Sequence, residues 1–119
     1  MATTLLVWGM VAHMIADWPL QNSWIAVNKV SLKHPASWVH GAIHFTALVF
    51  VFSPLVAGIL AISHMLIDTR VPLIWWRRIF HFTGEEPMAT HVAIWLDQCA
   101  HMMCIAAAAL IVARLSGGG

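Results

Sequence analysis

Pairs of side chains that can bind metal, spaced four residues apart, recur in each long apolar stretch of the sequence. The four pairs are His13 with Asp17, His40 with His44, His64 with Asp68, and Asp97 with His101. Residues at this spacing lie on one face of a helix, so each pair can present two donor atoms to a common point. Imidazole and carboxylate donors without thiolate suit zinc, iron or manganese. The inventory predicts a divalent metal site, favours a dinuclear one, and makes zinc the first candidate.

A polar network without metal is the alternative explanation for the same residues. Histidines and aspartates on neighbouring helices can satisfy each other by hydrogen bonding. Inserting an ionisable group into the membrane within a helix costs roughly 2.5 to 3.5 kcal/mol. Eight such groups therefore require stabilising partners, which are either metal ions or one another. Under both explanations the four pairs are the candidate functional site.

The composition indicates a membrane protein. Of the 119 residues, 61% are hydrophobic and only 9% are charged, whereas about 25% are charged in a typical soluble domain. The mean hydropathy is +0.80. A net charge of +1, without lysine runs or glycine-rich phosphate loops, argues against nucleic acid as a partner.

The apolar stretches predict an all-α, polytopic membrane protein with four transmembrane helices in a compact bundle. A spanning helix needs about 20 mainly apolar residues, which places the helices at about 3–20, 36–52, 55–76 and 91–114. Residues 1–119 should form a single domain with a flexible tail at 116–119. We expect the first helix to be retained and not cleaved as a signal peptide, because it has no basic n-region and polar residues interrupt its apolar run.

Lysine and arginine predict the orientation. Lys29 and Lys33 follow the first predicted helix, and Arg70, Arg77 and Arg78 lie near the end of the third. The positive-inside rule then puts both termini on the non-cytoplasmic side. In this orientation all four pairs fall in one layer, within roughly 5 to 20 Å of the cytoplasmic helix ends. The three arginines either serve as topology determinants or draw an anionic headgroup or phosphate toward the site.

Three polar residues beside the pairs are candidates for orienting the metal ligands. Gln21 extends the face of His13 and Asp17 by one turn, and Gln98 adjoins Asp97. Each could position a ligand through a hydrogen bond or be an ordinary interface residue. Lys29 either folds back over the site or lies at the membrane interface. Histidines in or beside connections are left out of the site: His34, His81 and His91.

The order and spacing of these residues resemble a known family. The string H-x3-D-x2-LQ-x2-W-x3-NK runs from His13 to Lys29, and the strings H-x3-H, H-x3-D and DQ-x2-H follow up to His101. This pattern resembles a family of small bacterial and phage inner-membrane proteins that is classed as a domain of unknown function. More loosely, it is similar to the predicted membrane-bound metal-dependent hydrolases. The resemblance implies a multi-pass metalloprotein of the bacterial inner membrane and suggests hydrolysis, without a reaction or substrate to carry over.

Hydrolysis is the first functional hypothesis. Bound metal would lower the pKa of a water molecule toward about 7, and Asp68 or Asp97 would transfer the proton. A site in the inner half of the bilayer favours a lipid headgroup, a lipid-linked phosphate, or a membrane-embedded amide or ester as substrate. The expected partners are therefore membrane lipids, together with a homo-oligomer or a larger membrane complex.

Two other functional classes stay open at the level of sequence. The same ligands could form a diiron redox centre. A non-enzymatic small subunit could provide a metal or proton pathway, ligate haem or a pigment, or dock onto a larger complex. A zincin-type peptidase is not supported, because no H-E-x2-H string is present.

Overall fold

Six helices make up the part of the chain that the structure describes. The computed structural model describes residues 1–80 and 87–117, and within these ranges the regular secondary structure is α-helical, which confirms the predicted all-α class. The helices are α1 (Ala2–Asp17), α2 (Ser23–Asn28), α3 (Pro35–Leu48), α4 (Pro54–Asp68), α5 (Val71–Ile79) and α6 (Met88–Gly117).

Four of the helices form a ring. Helix α1 packs against α3 and α6, and α4 packs against the same two helices, so α1 and α4 face each other across the centre. The short helix α2 packs on α3, and α5 packs on α4 and α6. Because every member of the ring borders the centre, residues from all four helices can meet there.

Local caps determine where α3 and α4 begin. The Nδ1 atom of His34 accepts a hydrogen bond from the backbone N–H of Ala36 at 3.1 Å, and the hydroxyl of Ser53 accepts one from the N–H of Val56 at 3.4 Å. A proline follows each cap in the first helical turn, where its missing N–H costs nothing. His34 therefore has a structural role at a helix start, in agreement with its exclusion from the site.

The segment predicted as one helix over 55–76 is divided into two. Helix α4 ends at Asp68, and α5 follows after a bend of 61°. Pro72 has no N–H to donate to the Asp68 carbonyl, and its ring clashes with that carbonyl in a continuous helix. Arg70, between the two helices, has a φ of 66° in the left-handed region. Helix α5 consequently turns away from the axis of α4 at the end where Asp68 lies.

The other predicted helices agree with α1, α3 and α6 to within four residues at each end. Helix α1 stops three residues before its predicted end, because Pro19 disfavours the helical conformation of the residue before it. Helix α6 continues to Gly117, so the predicted tail at 116–119 is helical as far as that residue. Gly118 and Gly119 lie outside the described residues, as does His81.

Helix lengths give less direct support to four membrane spans than the sequence does. Within the described ranges α6 is long and apolar enough to cross a membrane, because it has 30 residues and contains an 18-residue stretch with a mean hydropathy of 1.8. Helices α4 and α5 would be a second span if the bent pair is counted as one. Helices α1, α3 and α4 have 16, 14 and 15 residues. At 1.5 Å per residue they are about 21 to 24 Å long, against about 30 Å of hydrocarbon core.

The centre of the ring is apolar at one end and polar at the other. The apolar end, which we call the apolar core, contains Ala12, Leu48, Phe52, Ala57, Leu60, Ile105 and Ala109. Gly9 allows α1 to approach α6 closely there, because an added Cβ would lie 2.7 Å from Cγ2 of Ile105. The polar end lies toward the C-terminal ends of α1 and α4 and contains the residues singled out in the sequence.

Candidate metal centre

Buried histidines, aspartates and a glutamine from all four ring helices meet at the polar end. Both members of three of the pairs face the centre, as the helical spacing predicts, and His101 does so from the fourth pair. Every side chain in the set is at most 6% exposed: His13, Asp17, His40, His44, His64, Asp68, Gln98 and His101. We call these eight residues the polar cluster.

Four residues of the polar cluster form a first candidate ligand group around Asp17. Its Oδ1 atom lies 3.2 Å from Nε2 of His40, and 3.6 Å from Nε2 of both His44 and His64. The Nε2 atoms of His40 and His64 are 3.0 Å apart. In a tetrahedral zinc site, bonds of about 2.0 to 2.1 Å hold ligand atoms about 3.3 to 3.4 Å from each other. The measured separations lie on both sides of that value, so these four atoms could hold one ion.

A second candidate ligand group consists of His64, Asp68 and His101. Oδ2 of Asp68 lies 2.9 Å from Nε2 of His64, and Oδ1 lies 3.3 Å from Nε2 of His101. The Nε2 atom of His64 can bind only one ion, so it cannot complete both groups at once. Asp68 presents its two oxygens to the two histidines of this group, so either oxygen could be the ligand atom that it contributes.

Several of these atoms are close together without being hydrogen-bonded. In the part of the chain that the structure describes, Nε2 of His44, Nε2 of His101 and both carboxylate oxygens of Asp68 are buried and have no hydrogen-bond partner. Buried polar groups in proteins are nearly always satisfied. These atoms nevertheless lie 2.9 to 3.6 Å from neighbouring donor or acceptor atoms of the cluster. A bound ion would supply the partner that these four atoms lack, whereas Asp17, His40 and Gln98 are hydrogen-bonded within the cluster.

Gln98 connects the two sides of the cluster. Its side-chain N–H groups donate to Oδ2 of Asp17 at 3.0 Å and to Oδ2 of Asp97 at 3.2 Å. Its Oε1 atom lies 3.1 Å from Nε2 of His13. Since carboxylates can only accept, the amide must face them with its nitrogen, and the His13 Nε2 atom must then donate to Oε1. This leaves His13 Nε2 without a lone pair for a metal, and His13 belongs to neither ligand group.

Two predicted site residues lie at the edge of the cluster. Asp97 also belongs to neither group, although its Oδ2 atom is 3.5 Å from Nε2 of His101, and its side chain is 22% exposed. Lys29 folds back over the site, which is the first of the two positions that the sequence left open for it. Its Nζ atom lies 3.5 Å from Asp17 and 3.7 Å from Asp68. The buried Ile25 anchors α2, which ends just before Lys29.

A pocket of about 580 Å³ opens beside the cluster. Its charged lining consists of Asp17, Lys29, Asp68, Arg70, Arg77 and Asp97. Gln21 also lines it, and the buried Oε1 atom of Gln21 has no hydrogen-bond partner among the described residues. The sequence pattern does not identify this pocket, because α5 and the pocket wall depend on the break before Pro72.

Three further metal-competent residues of the described chain lie outside the cluster. His91 and Cys99 are exposed on α6. Cys104, on the same face of α6 as His101, packs against the apolar core and not into the cluster. The donor set at the centre is thus imidazole and carboxylate, without thiolate, as the sequence predicts.

The fold and the cluster define a small helical protein with buried histidine and aspartate groups that could hold a metal ion. A family model described as "Protein of unknown function (DUF3307)" matches residues 5–117, so the chain belongs to this family. The match confirms the resemblance to a domain of unknown function. No curated protein and no solved structure matches the chain.

Proposed function

We propose that the protein is an integral membrane metalloenzyme that hydrolyses a lipid or another membrane-embedded substrate at the polar cluster. The observation that supports a metal is the convergence of buried nitrogen and oxygen atoms at ligand-to-ligand separations. Among the described residues, Nε2 of His44, Nε2 of His101 and both oxygens of Asp68 have no hydrogen-bond partner there. The adjoining pocket supports an enzyme, because it gives a small molecule access to the second ligand group.

The distribution of side chains supports a membrane setting with four crossings. Large apolar residues are exposed on the outside of the ring, among them Trp8, Phe50, Leu55, Trp95 and Met103. The centre, by contrast, holds the polar cluster. A soluble domain does not expose so extensive an apolar surface, and lipid would cover this exterior. Local thinning of the bilayer would accommodate the short helices α1, α3 and α4.

Zinc is the first candidate for the metal, and iron or manganese are the alternatives, because the donors are imidazole and carboxylate. A divalent ion of this kind lowers the pKa of a coordinated water toward about 7, which supplies a nucleophile at neutral pH. The chain's own residues would then hold the ion, orient its ligands and transfer the proton.

The two aspartates proposed for proton transfer have different surroundings. Asp68 is buried within the second ligand group and contacts His64 and His101, so its role is to hold metal. Asp97 is partly exposed, lines the pocket and accepts a hydrogen bond from Gln98. We therefore assign proton transfer to Asp97, which can exchange protons between the cluster and the pocket. Lys29 compensates the negative charge of the two buried carboxylates that it contacts.

A pathway across the membrane is less well supported than an enzyme. The polar cluster ends at the apolar core, whose large members Leu48, Phe52 and Leu60 are at most 6% exposed. Protons or metal ions crossing the bundle along its centre would have to pass this apolar layer. The pocket reaches the cluster from the opposite side, as an active site requires.

Metal analysis of the detergent-purified protein tests the proposal. We expect one or two equivalents of zinc, iron or manganese in the native protein and in the His91→Ala variant, whose histidine is exposed and outside the cluster. His64→Ala should lose most of the metal, because His64 belongs to both ligand groups. Thermal unfolding of both variants checks that each is folded.

Absence of metal from the native protein after reconstitution would overturn the metal site. An absorption spectrum separates the enzymatic alternatives, since an oxidised diiron centre absorbs in the near ultraviolet and zinc does not. Multiple turnovers of ester or phosphoester hydrolysis by the loaded protein on mixed bacterial lipids would support the hydrolase. Stable metal binding without turnover on any lipid, amide or ester would overturn it.

A further inference from the structure

We infer that the pocket beside the polar cluster binds the phosphate group of an anionic lipid, and that Arg70 selects for that group. The inference rests on the proposed function and specifies its substrate class. Four observations carry it: the charge of the pocket, its apolar walls, its size, and the backbone conformation of Arg70.

The charge of the pocket favours a dianion once metal is bound. Three carboxylates and three cationic side chains line it: Asp17, Asp68, Asp97, Lys29, Arg70 and Arg77. Among the described residues these formal charges cancel, so each divalent ion at the cluster adds two positive charges that none of the described lining residues compensates. A phosphate monoester carries about that much negative charge at neutral pH. A neutral ester or amide would leave the charge uncompensated in a partly buried site.

The walls of the pocket favour an amphiphile over a water-soluble phosphate. Trp18, Leu73, Ile74, Ile94 and Leu96 contribute apolar surface beside the charged residues. Trp18 and Ile74 are among the large apolar side chains exposed on the surface, so the pocket is continuous with the surface that lipid would cover. Its volume of about 580 Å³ is in the range of small-molecule sites. A headgroup with the first part of its acyl chains fits that space and that pattern of polarity.

Arg70 combines a strained backbone with an exposed side chain at the pocket. Its φ is 66°, and among the described residues other than glycine no other residue has a positive φ. Glycine or asparagine would adopt this conformation more easily. Strain of this kind is concentrated at ligand-binding sites. Arg70 is exposed and lines the pocket, and its guanidinium has a planar fork that can donate two hydrogen bonds to a phosphate.

Calorimetric titration with short-chain ligands tests the inference without requiring hydrolysis. The probes are dihexanoyl phosphatidic acid, dihexanoylglycerol and inorganic phosphate, added to the detergent-solubilised protein with its metal and after chelation. Arg70→Gln removes the charge at the pocket. Arg78→Gln is the matched control, because Arg78 lies on the neighbouring helix α5, is exposed and does not line the pocket.

We expect the metal-loaded protein to bind the phosphatidic acid at least tenfold more tightly than either the diacylglycerol or inorganic phosphate. Arg70→Gln should weaken that binding at least tenfold, and Arg78→Gln less than twofold. Should Arg70→Gln fail to fold, Arg70→Gly removes the same charge and relieves the backbone strain. Chelation should also weaken binding, since it restores the balance of charges.

Three results would overturn the inference. Equal affinity for the phosphatidic acid and the diacylglycerol would show that the phosphate is not recognised, and equal affinity for inorganic phosphate would show that the acyl chains are not. Equal effects of the Arg70 and Arg78 variants would remove Arg70 from the site. Failure of the proposed hydrolysis is distinct from these results, because it appears as absent turnover by a metal-loaded protein whose Arg70-dependent binding persists.

Discussion

Gln98 is the residue whose replacement tests the geometry of the polar cluster most directly. Gln98→Leu nearly preserves the side-chain volume, so it changes polarity without opening a cavity. The substitution removes the hydrogen bonds that Gln98 donates to Asp17 and Asp97 and the one that it accepts from His13. The Oε1 atom of Gln98 accepts from His13 and its Nε2 atom donates to the two aspartates, so the amide orients the cluster and is not itself a ligand. A weaker affinity for metal must therefore arise from the residues that it orients.

The magnitude follows from the role of Asp17. One Asp17 oxygen belongs to the first ligand group, and Gln98 fixes the other oxygen. Loss of a residue that orients a metal ligand typically weakens metal binding by about 10- to 100-fold, which corresponds to about 1.4 to 2.7 kcal/mol. The metal-free fold should also lose about 1 to 3 kcal/mol for each buried group that is left without a partner.

A competition titration measures the affinity. The purified variant is titrated with zinc in the presence of a chromophoric chelator, and thermal unfolding is recorded with and without metal. Gln21→Leu is the matched control, because Gln21 lies beside the cluster and its buried Oε1 atom has no hydrogen-bond partner within the described residues. We expect Gln21→Leu to change the zinc affinity by less than about threefold, which is below the range for an orienting residue.

The reasoning would be refuted by a folded Gln98→Leu protein that binds zinc within about twofold of the native affinity, a change smaller than about 0.5 kcal/mol. That result would mean that Asp17 is held in place without Gln98 or does not bind the metal. An equal loss of affinity in the two glutamine variants would also refute it, because the effect would then reflect polarity near the pocket and not the hydrogen bonds of Gln98.

Two further predictions concern packing and topology. Gly41→Ala should destabilise the protein by about 1 to 3 kcal/mol, because a Cβ there would overlap the buried Met65 side chain. Gly58→Ala has room beside Phe45 and should be neutral or stabilising by up to about 1 kcal/mol. Thermal unfolding in detergent compares the two variants, and equal effects on stability would contradict the packing at Gly41. The topology is tested by single cysteines in a background without the native cysteines. A membrane-impermeant thiol reagent applied to intact cells should label Ser53→Cys and not Ser31→Cys. Labelling of Ser31→Cys alone would reverse the orientation that the positive-inside rule predicts.

The sequence predicts the helices well where hydrophobic runs are long, and less well where proline acts at short range. Helices α1, α3 and α6 lie close to their predicted positions. Hydropathy does not predict the break between α4 and α5, because residues 55–76 are apolar enough to form one span. Pro72 stops that helix regardless of hydropathy, since it removes one backbone hydrogen bond and its ring clashes with the preceding turn.

The candidate site is also predictable in part. The spacing of four residues identifies side chains on one helix face, and the structure brings His40, His44, His64 and His101 together accordingly. Spacing could not show that His13 would donate to Gln98. Nor could it show that Lys29 would return over the cluster, because these contacts join residues that are distant in the chain.

The sequence by itself determined the helical class and the apolar exterior, because these depend on composition. It also determined that four helices each carry imidazole or carboxylate groups on one face, because that depends on the local period of about 3.6 residues. Tertiary structure alone decided which of those side chains converge, since the relative rotation and depth of α1, α3, α4 and α6 place the donor atoms relative to one another. It separated the residues that could hold metal from those that orient them, such as Gln98 and His13. It also formed the pocket, because the turn at Arg70 directs α5 away from α4 and opens the cluster on that side.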